Sequence, residues 1–359
     1  MALVGFESTR LSLAFVTVTA LATATGAQVT VSSRCPPTQG TPDVMEFAVP
    51  TASAKPLGMA EGPDCALWFT ESAGNKIGRI SLSGEVTEFA IPTAASNPAR
   101  ITVGPDAALW FTESRGNKIG RITTAGAVTE FTIPTPDSFP VGITAGPDGN
   151  LWFAEQTGHR IGRITPAGVI TEFLVPPRGP FASLPLGIVA GADGNLWFSE
   201  YFTGRVGQIT PQGSITLFTI DPTCCADVGE ITAGPDGNVW FTERWENRIG
   251  RISPAGQIEY FQLPFPGFVV GQYAAYGIAT GPDGALWFTN APDTIGRMTT
   301  AGVVSQFHTL SSQSSPEIIT SGPDGNVWFT ESAANKIGRI GVAPAQAPQT
   351  GPRRRAVRH

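Results

Sequence analysis

The chain has 359 residues, 14% of them charged, with 42 glycines, 31 prolines and a formal net charge of −6. That balance gives no electrostatic reason to expect nucleic acid as a partner. The glycines and prolines recur at fixed offsets between apolar runs, as turn punctuation does, which speaks against a low-complexity chain.

At the N-terminus, Arg10 precedes an uncharged stretch from Leu11 to Ala22, followed by the small residues Ala22-Thr23-Ala24 and Thr25-Gly26-Ala27. This pattern predicts a signal peptide over residues 1–27, cleaved after Ala24 or Ala27. The stretch is short and rich in Thr and Ala, unlike a membrane span, and no other segment approaches spanning length. A secreted or periplasmic protein is expected, in a compartment that permits disulfides. Residues 28–42 read as a leader, and residues 343–359 as a disordered Pro/Ala/Arg tail.

Between them, residues 43–342 are a repeat. A core close to Gly-Pro-Asp-x-x-Leu/Val-Trp-Phe-Thr-Glu starts at Gly62, Gly104, Gly146, Gly191, Gly234, Gly281 and Gly322, and puts seven of the eight tryptophans at one place in the unit. In the third copy the predicted strands are A, Val141 to Ala145; B, Asn150 to Ala154; C, Arg160 to Thr165; and D, Val169 to Val175. Four short strands in 41 to 47 residues make a propeller blade. The seventh unit stops at Ile340 without a strand D, and Val44-Met45-Glu46-Phe47-Ala48-Val49-Pro50 matches Val86-Thr87-Glu88-Phe89-Ala90-Ile91-Pro92. The expected fold is therefore all-β: a seven-bladed β-propeller of four-stranded blades, its ring closed by the N-terminal strand completing blade seven. A monomer is expected.

The start of A, the end of B and the D–A connections share one face, here called the top. Strand B ends in a carboxylate at Glu71, Glu113, Glu155, Glu200, Glu243 and Glu331. The row reads either as a cation site at the channel mouth or as pairing with Lys76, Lys118, Arg160, Arg205, Arg248 and Lys336. Departures from the repeat are more informative. Arg100, Glu230, Tyr276 and Glu317 stand at inner-strand positions where other blades carry small or apolar residues. They mark a binding site or, alternatively, an ion pair from Arg100 to Glu230 or Glu317 that fills the channel. Three enlarged D–A connections, with Phe265, Phe268, Tyr273 and the neighbouring Trp245, suggest a hydrophobic pocket for a small-molecule, peptide or polymer ligand, or else a protein-binding patch. Cys35 and Cys65 are placed for a disulfide near the closure, and adjacent Cys224-Cys225 for a vicinal one.

The unit Gly-Pro-Asp-Gly-Asn-Leu-Trp-Phe-x-Glu, with its Asn-Lys-Ile-Gly-Arg-Ile and Val-Thr-Glu-Phe-x-Ile-Pro segments, resembles that of the virginiamycin B (streptogramin) lyase family over about residues 43–342. The resemblance implies a Mg²⁺-dependent elimination that opens the ester of a cyclic depsipeptide. In that scheme a base removes a proton next to a carbonyl, and the metal stabilises the enolate-like charge. The resemblance also implies histidine bases at two inner-strand starts, a carboxylate before the second, and Glu331 at the metal. Here the two base positions hold Tyr276 and Glu317, the carboxylate position holds Ser315, and an early aromatic position holds Leu57. The three histidines, His159, His308 and His359, lie elsewhere. Two functions are thus expected to compete: ligand binding by a degenerate lyase site, or metal-dependent lyase or hydrolase chemistry through Glu317, Glu331, Glu230 and Tyr276.

Overall fold

A computed structural model describes residues 43–221, 226–264 and 275–342. These form seven four-stranded antiparallel sheets, with no helix among the described residues. Blade one shows the plan: A, Pro56–Glu61; B, Leu67–Glu71; C, Lys76–Ile80; D, Val86–Ala90. In blade three the strands are Pro140–Ala145, Leu151–Glu155, Arg160–Ile164 and Ile170–Leu174, close to the sequence reading. Blade seven takes its outer strand from Val44–Ala48, with Val44 opposite Ile340 and Ala48 opposite Lys336. The ring therefore closes through the N-terminal strand.

Strand B is buried along its whole length, while strand D alternates toward solvent. The strand B tryptophan packs into the core of the next blade: Trp68 lies with Ile101, Leu109 and Phe111, and Trp328 with Leu67, Phe69 and Ile80 across the closure. Its indole N–H donates to the turn aspartate, 3.0 Å from Trp68 Nε1 to Asp64 Oδ1, so the buried ring leaves no polar atom unpaired. In strand C the glycine is required by contact. A Cβ on Gly78 would stand 2.1 Å from Phe69 Cζ.

Neighbouring blades are also pinned by the strand B threonine. Thr70 Oγ1 accepts from Gly58 N at 2.8 Å and donates to the Ala99 carbonyl of blade two at 2.9 Å. Thr330 Oγ1 repeats this across the closure, donating to the Leu57 carbonyl at 2.8 Å. The pin sits at the irregularity that interrupts strand A between Pro56 and Met59. Outside it, the strand D glutamate clips the preceding connection: Ser311 N donates to Glu46 Oε1 at 2.7 Å, as Thr51 N does to Glu88 Oε1 at 2.8 Å.

Cys65 is disulfide-bonded. Its expected partner Cys35 lies outside the described residues, as do Cys224 and Cys225, the signal peptide, the leader and the tail. No helix among the described residues is long and apolar enough to cross a membrane.

Candidate functional site at the channel mouth

The first residues of strand A and the last of strand B lie side by side, as Pro56 does with Glu71, so substitutions there collect at one end of the channel. In most blades the third position of strand A is glycine because the next blade's backbone presses on it. A Cβ on Gly58 would stand 2.4 Å from the Ala99 carbonyl oxygen, and one on Gly277 2.3 Å from that of Glu317. Blades two and five place Arg100 and Glu230 at this position instead. Three blades apart, their side chains meet across the channel. Arg100 Nε donates to Glu230 Oε1 at 3.0 Å, and Nη2 donates to the same oxygen.

Arg100 Nη2 also donates to Tyr276 Oη, 3.0 Å away in blade six. Burial pushes the Tyr276 phenol above the ordinary tyrosine range; Arg100 opposes this, while Glu230 and Glu317 add to it. Glu317 keeps to its own blade, accepting from Ser332 Oγ at 2.9 Å and Ser315 Oγ at 3.4 Å. Of the two sequence-level alternatives for Arg100, the ion pair is thus made, and with Glu230 rather than Glu317.

A second buried pair lies beside the first. Arg244 Nη2 donates to Asp227 Oδ1 at 2.6 Å, and its guanidinium lies over both the Tyr276 and Tyr201 rings, 5.2 and 5.3 Å from their centroids. Tyr201 meets Phe202 edge-on, and Phe202 meets Trp245 at 5.3 Å, with Phe202 and Trp245 exposed. Phe202 sits at φ 64, a left-handed conformation unusual for a bulky residue. Sequence reasoning found Trp245 but missed Tyr201, Phe202, Asp227 and Arg244. The residue after the strand B carboxylate was the available signal: it is Ser72, Ser114, Gln156 and Ser332 in other blades, but Tyr201 and Arg244 here. The predicted loop residues Phe265, Phe268 and Tyr273 lie outside the described residues.

The strand B carboxylates do not line an open mouth; all six are fully buried. Nor do they all pair as the spacing suggested. Arg205 binds Glu200 and Arg248 binds Glu243, but Lys76, Lys118 and Lys336 turn outward to Glu88, Glu130 and Glu46. Burial pushes the Glu331 carboxyl up to about 7, opposed by Ser314 and Lys336 and reinforced by Glu46. Magnesium takes six oxygens in octahedral array, one or two of them from carboxylates and the rest from water or substrate. Among the described residues no group of three or more His, Cys, Asp or Glu side chains is gathered to hold a metal, and Glu331 is sealed from solvent. Glu331, the carboxylate that the resemblance assigns to the metal, is therefore not presented to an ion in this structure.

The virginiamycin B lyase family profile matches residues 34–221 and 180–348, together most of the chain. The chain belongs to the virginiamycin B lyase family. It is 35% identical to a solved streptogramin B lyase, with a TM-score of 0.76 over 83% of this chain and 97% of that one. It is 36% identical to virginiamycin B lyase from Staphylococcus aureus in its selenomethionine form, at TM-score 0.76, covering 84% of this chain and 99% of that one. A catalytically inactive histidine-to-alanine variant of the S. aureus enzyme, solved with quinupristin, matches at 36% identity and TM-score 0.77 over the same shares.

Proposed function

We propose that this protein is a secreted member of the virginiamycin B lyase family that binds a small-molecule, peptide or polymer ligand at the top face of its channel, with the family's elimination chemistry lost. The observation that carries this reading is the state of Tyr276 at one base position. Its oxygen already accepts a hydrogen bond from Arg100, and burial disfavours the phenolate that proton abstraction would need. Glu317, at the other position, is held on Ser332. The exposed Trp245 and Phe202, beside the stacked Arg244, supply aromatic surface for a ligand instead.

The competing reading is a Mg²⁺-dependent lyase acting on type B streptogramin esters, or a related hydrolase with a rebuilt site; family membership favours it. The test is to incubate the purified protein with magnesium and a type B streptogramin and follow the linearised product by mass spectrometry. No turnover is expected, together with quenching of Trp245 fluorescence by a ligand of the top face. Turnover that disappears in Glu331→Gln would overturn the proposal.

A further inference from the structure

The cation five residues after the strand B glutamate is used differently around the ring. In blades four and five, strand D carries Leu217 and Tyr260 at its middle position, and the strand C arginine turns inward: Arg205 pairs with Glu200 at 2.7 Å, and Arg248 pairs with Glu243. In blades one to three that position of strand D holds a carboxylate of its own, Glu88, Glu130 or Glu172, as blade seven does with Glu46. Lys76 and Lys118 go to Glu88 and Glu130 at 2.7 and 2.8 Å, and Arg160 donates to the Gly158 carbonyl. Blade six carries Gln306 there and has neither inner charge, holding Asn290 and Thr294 instead.

Glu71, Glu113 and Glu155 are consequently fully buried, and neither carboxylate oxygen of any of them accepts a hydrogen bond from the described residues. Buried without partners, such a group costs far more ionised than neutral. Glu71 faces Glu88 and Lys76. Glu113 faces Glu130, Lys118 and Ser96, and Glu155 faces Glu172, Arg160 and Ser138. Ser96 and Ser138 give their hydroxyl hydrogens to Asn75 and Asn117 at 2.9 and 2.8 Å. Each serine opposes the rise of its glutamate, but with its hydroxyl hydrogen on an asparagine it leaves the carboxyl oxygens without a bond.

We propose that Glu71, Glu113 and Glu155 are held as neutral carboxylic acids, giving blades one to three a proton-dependent latch that blades four to six lack. Burial first, and the outer carboxylate second, push Glu71 up to about 8, Glu113 to about 7 and Glu155 to about 8, from an ordinary 4.5. The native state then binds more protons than the unfolded chain, so stability falls as pH rises. The contribution is complete below the ordinary carboxylate range and is lost as pH passes through about 7 to 8.

The experiment is infrared titration of the intact protein, following the carbonyl stretch of protonated carboxyl groups. The band is expected to persist near neutrality, where ordinary carboxylates are ionised, and to vanish in alkaline solution. It should lose most of its intensity in Glu71→Gln/Glu113→Gln/Glu155→Gln. The wild-type Tm is expected to fall by at least about 5 °C over the same range, and by well under half as much in the triple variant. Hydrogen exchange, corrected for its intrinsic pH dependence, should rise first in residues 56–174. Absence of the band near neutrality, or equal loosening in residues 228–308, would overturn the proposal. The wild-type titration decides the question even if the triple variant does not fold.

Discussion

Replacing Arg100 by leucine removes one end of the strut across the channel and strands the other. Arg100 is 7% exposed, and the Glu230 side chain is 12% exposed. At 3.0 Å between Arg100 Nε and Glu230 Oε1, the attraction is about 5 kcal/mol for an effective dielectric of ~20. Much of that offsets the cost of taking both charges out of water, so the pair itself contributes little net stability. Breaking it is different, because Glu230 remains buried without its ion-pair partner. Arg100→Leu should therefore cost about 3–5 kcal/mol, and Glu230→Leu a similar amount. The double variant should recover most of the loss, since it leaves no uncompensated charge in the channel. Urea unfolding of the wild type, both singles and the double gives the coupling energy directly. Singles that each cost less than about 1 kcal/mol, or costs that simply add, would refute this reasoning.

Thr330→Val removes the pin between blades seven and one, leaving Ile318 N and the Leu57 carbonyl without their partner, and should lower stability by about 1–3 kcal/mol in the same assay. Blade three lacks this threonine naturally, so Ala154→Thr should raise stability, by about 1 kcal/mol. Gly277→Ala drives a methyl into the Glu317 carbonyl and should cost about 1–3 kcal/mol by thermal unfolding. Removing residues 43–50 bares the edge of Lys336–Ile340, and self-association is expected on size-exclusion chromatography.

The fold was legible because each blade repeats its own evidence. Trp68, Asp64 and Gly78 make sense only together, and seven copies of their spacing leave little room for another arrangement. The closing strand was readable for the same reason, as a displaced copy of Val86–Ala90. The site was half legible. Arg100, Glu230, Tyr276 and Glu317 announced themselves by breaking the pattern, but their pairing depends on which blades face each other across the ring. The choice of Lys76 between Glu71 and Glu88 was hidden too. Both glutamates are at plausible spacing, and only the structure shows that Lys76 reaches Glu88. Arg244 was missed because a single exposed-looking arginine after a carboxylate gives no hint that it lies over two tyrosine rings.

The seam of blade seven has a consequence for how the chain is made. Glu46 and Lys336, joined at 2.7 Å, are 290 residues apart, so the first strand must wait for nearly the last to emerge before it finds its neighbours. Contacts of such long range make folding slow and favour a chain that is complete before it commits. Asp43 and Gly341 end up bonded through their backbones, with the two ends of the propeller side by side. Joining those ends and opening the chain between two blades would turn the seam into an ordinary blade, and such a permutant should refold faster than the natural order.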